Sequence, residues 1–305
     1  MSLTKPLRRA LDPDVESAIL RTVAYSAVFQ APLALDELHR RLLDVSLGRD
    51  ELRACLDAPV LRERLTLIDG LVVPRGKEGW LSLRRERRDH TASLLERHDW
   101  ALRRLARFPF VRLVTLSGAC AHGNASDDDV DVFLVVKKDR AWAVCLALMV
   151  ASKILGLRRT LCLNYIVDEA GMSLPERDLF TASEIVGLKL LSGHETYRRF
   201  LRANDWVAGR HPNFWSGQAE TSDSAPEVSS PRWLESLLQL GVAPLVEALS
   251  RRVLGAYLRK KGRGSPGVVL DRHRLKLHID DHRPRLQAAY EDELKTMGIE
   301  DGVEP

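Results

Sequence analysis

Asp129 and Asp131 are the residues of this chain whose type and spacing point most directly to chemistry. They open a β-branched apolar run, Val130 to Val136, that reads as a strand. Side chains alternate along a strand, so residues two apart share a face and the two carboxylates point the same way. Like charges that close repel, and a divalent cation compensates them. Hard oxygen ligands of this kind suit Mg²⁺. Just upstream, Ser117-Gly118-Ala119 ends a first β-run, Val111 to Leu116. Small residues in such a turn let backbone N–H groups approach an anion as bulky as a triphosphate. His122 sits in the same turn, either against phosphate or acceptor or with no ligand role.

Three other chemistries fit the segment less well. A phosphate P-loop would need Lys-Ser/Thr where Asn124-Ala125 stands. Asp127, Asp129 and Asp131 begin like a calcium loop, but the glycine after the third acid and the distal glutamate are missing. Cys120 and His122 lack the two further ligands of tetrahedral zinc. The plain alternative is an acidic turn that caps a strand.

The elements that must position these residues follow from periodicity. Residues 82–108 read as a long helix with Arg84, Arg85, Arg87, Arg88, Arg97, Arg103, Arg104 and Arg107 interleaved with acids, the pattern of a solvated face. Residues 141–156 read as a mostly buried helix and Leu161–Val167 as a strand. Residues 176–209 read as helical, interrupted at Gly187 and Gly193, which sets Lys189 on a helix within reach of a phosphate. Ser216 to Pro231 is polar and reads as a linker; Trp233–Lys261 and a region from about Asp271 to Met297 read as helices. At the front, helices over 14–29, Leu35 to about Leu43, and a third around Leu52 and Leu56 precede a hairpin turned at Asp69-Gly70. That is the order of a winged helix-turn-helix. Its third helix sets Arg49 and Arg53 against Asp50 and Glu51, so DNA binding is not favoured. The expected class is α+β. It comprises a winged helix-turn-helix (12–82), a small mixed β-sheet core with its leading helix (83–175), a helical extension (176–215), a linker (216–231) and a helical C-terminal region (232–299).

A strand, a Gly-Ser-type turn and a hydrophobic-flanked Asp-x-Asp together resemble the signature of the polymerase-β-type nucleotidyltransferase superfamily. Ser117-Gly118-Ala119 and Asp129-Val130-Asp131 carry that match. The chain also resembles a bacterial group in which a winged helix precedes this core. There the match runs through Pro109 to Arg112, Cys162 to Tyr165, Leu179 to Ile185 and Asn204 to Val207, covering most of the chain from about residue 20 to 290. The resemblance implies Mg²⁺-dependent transfer of a nucleoside monophosphate from an NTP to an unknown acceptor, a small molecule, a tRNA or a protein, with release of pyrophosphate. It implies Asp129 and Asp131 as catalytic metal ligands, with Ser117, Gly118, Ala119, His122 and Lys189 at the nucleotide. Two positions depart from the pattern. Ala119 replaces a serine, and Asn164 stands on the strand where a third carboxylate is usual. An amide can ligate a metal but cannot serve as a useful base. Asp168 or Glu169, just beyond, or Asp127 and Asp128 in the turn, are the substitutes on offer. With no third carboxylate, the alternative is a catalytically degenerate protein that binds a nucleotide, a nucleic acid or a partner.

Composition narrows the setting. The 305 residues are 45% hydrophobic and 29% charged, ordinary for a soluble chain with a sizeable core. Net charge is only +4, too mild to demand a polyanion partner, although the tract from Arg251 through Lys260 to Lys276 gives an RNA acceptor some weight. The four cysteines are widely spaced and read as free thiols in a reducing compartment. Met1 to Ala10 is polar, and the apolar stretch Ala141–Leu155 is broken by Ser152 and Lys153, so the expectation is a cytoplasmic protein without a membrane partner.

Overall fold

In the computed structural model, residues 11–217, 235–236, 243–261, 267–277 and 283–299 are described. They divide into two compact units: 11–84, 208–217 and 286–299 in one, the remainder in the other.

In the first unit, the Asp12 carboxylate accepts the Asp14 N–H and Pro13 fills the first turn of α1 (Pro13–Ala27). There follow β1 (Leu33–Ala34), α2 (Leu35–Arg41), α3 (Arg49–Cys55), α4 (Pro59–Arg62), β2 (Leu65–Ile68) and β3 (Leu71–Pro74). β3 pairs antiparallel with both β2 and β1, in the order β1-β3-β2. Ile19, Leu20, Leu38, Leu52, Leu61 and Val72 are buried from one element or another, so each helix gives one apolar face to a shared core. Glu37 accepts the Ala34 N–H at the start of α2 and a two-pronged contact from Arg84. On α3, Arg49 is already paired with Asp36 at 2.6 Å.

α5 (Trp80–Ala106) begins in the first unit and runs into the second. The second unit is built on a six-stranded mixed sheet of order β7-β4-β5-β6-β9-β8. Its strands are β4 (Val111–Leu116), β5 (Val130–Val136), β6 (Leu161–Asp168), β7 (Lys189–Ser192), β8 (Val268–Leu270) and β9 (Arg274–Leu277). Its helices are α6 (Gly118–Ala121), α7 (Ala141–Ile154), α8 (Leu179–Gly187) and α9 (His194–Ala203), and, after α10 (Val207–Arg210) and α11 (Pro212–Gly217), which fall wholly or almost wholly in the first unit, α12 (Ala243–Lys261); α13 (Arg283–Thr296) again lies mostly in the first unit. α7 crosses from β5 to its parallel neighbour β6. Val130, Val132, Leu134 and Val136 bury one sheet face in a core shared with Trp142, Cys145 and Leu148 of α7 and Leu254 and Leu258 of α12. The alternate residues of β5 look the other way, where the Phe133 ring meets Tyr165 and Phe200. One sheet face is therefore core, and the other carries Asp131.

Two expectations are corrected. The stretch 176–209 is not wholly helical: Lys189 to Ser192 form β7, which pairs with β4. The C-terminal region is not simply helical either, because β8 and β9 form a hairpin that extends the sheet beyond β6. β7 and β9 are four-residue strands carrying charged side chains and β8 has only three residues, too short to stand out from a helical background. Of the linker, residues 216–217 end α11 and 218–231 lie outside the described residues. The class is nonetheless mixed α and β with two sheets. Among the described residues, no helix is long and apolar enough to cross a membrane.

Glu235 contacts the start of β4. This buried carboxylate accepts the Phe110 N–H at 2.8 Å and both arms of the Arg112 guanidinium at 2.9 and 2.7 Å. It thereby fixes the entry into β4.

Candidate metal and nucleotide site

β4 delivers the glycine turn to the start of β5. Leu116 pairs with Val132, and the Ser117 N–H donates to the Asp131 carbonyl at 3.0 Å. Gly118 has φ +57°, and a Cβ there would stand 2.7 Å from Asp131 Oδ2. Glycine is thus required twice, for the backbone conformation and for the carboxylate beside it. The polar turn that follows is held from α5: Thr91 Oγ1 accepts the Ala125 N–H at 3.1 Å and Arg87 donates to Asn124 Oδ1 at 3.3 Å. His90 Nε2 lies 2.9 Å from the Asp127 carbonyl, which can only accept, so that nitrogen carries the proton. These three positioning residues were not singled out from the sequence. Their spacing, three then one along one helix, was the available signal.

Asp131 is partly buried and its carboxyl is pushed up to about 6, first by burial and then by the neighbouring carboxylates Asp129 and Asp127. A hydrogen bond from the Asn164 amide to the Asp131 carboxylate pulls the other way. Asn164 reaches Asp131 because β6 bulges there: Val132 pairs with Leu163 and Phe133 with Tyr165, leaving Asn164 as the extra residue. Cys162 lies directly opposite Asp131. Its thiol is pushed up to about 12 by burial and by Asp129 and Asp131, so it is a neutral neighbour of the acids.

Asp168 and Glu169, offered as substitutes for a third carboxylate, are at the wrong end of the sheet. Asp168 pairs with Val136, five residues along β5 from Asp131, roughly 16 Å at the rise of a strand. Asp168 is fully buried and its two oxygens take the N–H groups of Asp139, Ala170 and Gly171 and a ring nitrogen of His273. Asp139, Asp168 and His273 bring ligand atoms within 4.8 Å of one another and could hold a metal ion. An ion there would have to displace some of those hydrogen bonds. At the Asp131 end the third position belongs to Asn164.

No family model, curated protein or solved structure matches this chain. The site therefore rests on its own geometry. Lys189 lies on β7 rather than a helix, exposed and directly opposite Leu116, which still sets it beside the glycine turn. The ring of His122 packs on α8, close enough that a Cβ at Gly187 would sit 2.4 Å from its Cε1. His122 is thus held by packing. Between the sheet and α8 lies a cavity of about 120 Å³ with Ser117 and Asn164 on its wall. Phe133, Tyr165, Phe180 and Phe200 supply aromatic faces there, and Lys276 and Arg283 supply cations. A slightly larger apolar cavity accommodates a benzene ring, so this one suits a single ring-sized group next to the acids.

If the amide is what limits the site, Asn164→Asp should strengthen it. A carboxylate in the third position is expected to tighten Mn²⁺ binding about tenfold, measured by electron paramagnetic resonance titration. Unchanged affinity would show that Asn164 lies outside the coordination sphere.

Proposed function

We propose that the second unit is a nucleotidyltransferase-type core, and that the chain transfers a nucleoside monophosphate from an NTP to an acceptor, releasing pyrophosphate. The observation that carries this is Asp131, a partly buried carboxyl beneath a glycine turn on which the charged groups acting are themselves acids. Such a pair gains from a divalent cation, and oxygen ligands select Mg²⁺. Bound metal would neutralise the triphosphate and hold attacking and leaving oxygens in line. Asp129 and Asp131 hold the cation, and Asn164 fixes the orientation of Asp131. Gly118 and Ala119 offer backbone donors to the phosphates and Ser117 offers its hydroxyl, and Lys189 adds a charge at the same edge. In the transfer, an acceptor atom bonds to the α-phosphorus, the bond from that phosphorus to the bridging oxygen breaks, and pyrophosphate leaves with the electron pair. Asn164 cannot take the acceptor's proton, so the proton passes to a turn carboxylate or to water.

We further infer a winged helix in the first unit, from its helix, strand, three helices (the last of a single turn) and hairpin in that order with β1 on β3. The pairing of Arg49 with Asp36 speaks against DNA as its partner. The acceptor is a small molecule, a tRNA or a protein group, and the setting is the cytoplasm. A second reading, a nucleotide-binding module without catalysis, is favoured by one observation: the third position holds an amide.

The test is pyrophosphate release from each of the four NTPs with Mg²⁺, in the presence of tRNA or a small-metabolite fraction. Release with one NTP, lost in Asp129→Asn, is the expected result. NTP binding without release in any fraction would leave the second reading standing.

A further inference from the structure

We propose that a second cavity, at the opposite end of β5 from Asp131, binds a small phosphate-bearing anion carrying at least a diphosphate. Its volume is about 490 Å³, within the usual range for ligand sites. Lys138, Asp139 and Arg140 from the β5–α7 connection, Glu247 and Arg251 from α12, and Arg272 from the β8–β9 turn bring four cations and two acids to its wall. Both acids are engaged elsewhere. Asp139 pairs with Arg272 at 3.0 Å. Glu247 accepts the N–H groups of Trp142 and Ala143 at 3.0 and 2.9 Å, so these two donors at the start of α7 are taken and the side-chain cations carry the binding. Lys138, Arg140 and Arg251 form no salt bridge among the described residues.

Arg140 adds a second kind of observation. One arm of its guanidinium donates to the Asp139 carbonyl at 2.6 Å, while its Nε is buried with no hydrogen-bond partner. A buried donor left unmade costs free energy, which favours a turn of the Arg140 side chain toward an anion that the cavity admits. Four cations against two acids leave more positive charge than a single carboxylate ligand would balance, and the guanidinium fork matches phosphate oxygens. The cations converge on a concavity, which suits a compact polyphosphate better than an extended nucleic-acid backbone. Nothing in this site depends on the chemistry proposed at Asp131.

Calorimetric titration with inorganic pyrophosphate in EDTA tests it, using the full chain, Lys138→Gln, Arg251→Gln and Asp131→Asn. Lys138 and Arg251 are exposed, so their variants are expected to fold, and melting curves check this. Binding weakened about tenfold in each of the two cavity variants and unchanged in Asp131→Asn is the expected result. Absence of pyrophosphate binding at millimolar concentration, or binding in both cavity variants as tight as in the native chain, would overturn the proposal. So would weakening in Asp131→Asn alone, or a short RNA that depends on Arg251 where pyrophosphate does not bind.

Discussion

Replacing Asp131 with asparagine is expected to raise the melting temperature near pH 7.5 while abolishing any response to divalent cations. The Asp131 carboxyl is raised from an ordinary 3.8 to about 6 in the folded chain. Below the ordinary value it is protonated in both folded and unfolded states, and the fold has its full stability. As pH rises through about 6 the folded chain must ionise a carboxyl among other acids, and that stability is lost. A shift of this size corresponds to roughly 2 to 3 kcal/mol, allowing for its being an upper bound, or about 4 °C or more for a unit of this size. Asparagine keeps the hydrogen-bonding shape and removes the charge. The gain should therefore be full at pH 7.5, about half as large at pH 5 and nearly absent at pH 3, read from melting curves of both proteins at the three pH values. A destabilised variant at pH 7.5 would mean that Asp131 is satisfied without a cation. Stability traded for a charged, strained site is the common pattern at functional positions.

Glu235→Ala is expected to have the largest effect on stability alone, a loss of about 3 to 5 kcal/mol in urea unfolding. The carboxylate is buried and receives three donors, the Phe110 N–H and two arms of Arg112. Removing it leaves the Arg112 charge and a backbone N–H without that partner in a place water scarcely reaches. Phe110 is also held at φ +67°, a left-handed conformation costing roughly 1 to 2 kcal/mol outside glycine, and this contact is what pins it. Glu235→Gln keeps acceptor and size and should lose less than half as much. Equal losses in the two variants would show that charge, not hydrogen bonding, is what holds the entry to β4.

The β5 strand was legible because the signal is local: the β-branched apolar run Val130–Val136 forms a strand whatever the rest of the chain does, and its alternation sets Asp131 on the face away from Val130 and Val132. α7 was legible as an apolar helix, but not how it packs: one face is buried, while Val150 and Ile154 are exposed. What could not be read was anything set by pairing across the sheet. β7 and β9 are four-residue strands whose Lys189, Arg274 and Lys276 mimic a charged helix face. The bulge that turns Asn164 toward Asp131 depends on register with β5, and so does the placement of Asp168 at the far end. The clamp from Arg87, His90 and Thr91 onto the acidic turn joins residues more than thirty apart in sequence. The anion cavity gathers side chains from three separated segments, none of which forms a motif on its own.

The most direct test of the Asp129–Asp131 site is thermal melting of the native chain and Asp131→Asn with each of the four NTPs, with and without Mg²⁺. A ligand that binds only the folded state must raise the melting temperature. We expect one NTP to raise it in the native chain only when Mg²⁺ is present, and to leave the variant where it was. No shift with any NTP, or the same shift in both proteins, would contradict a metal–nucleotide site at these residues.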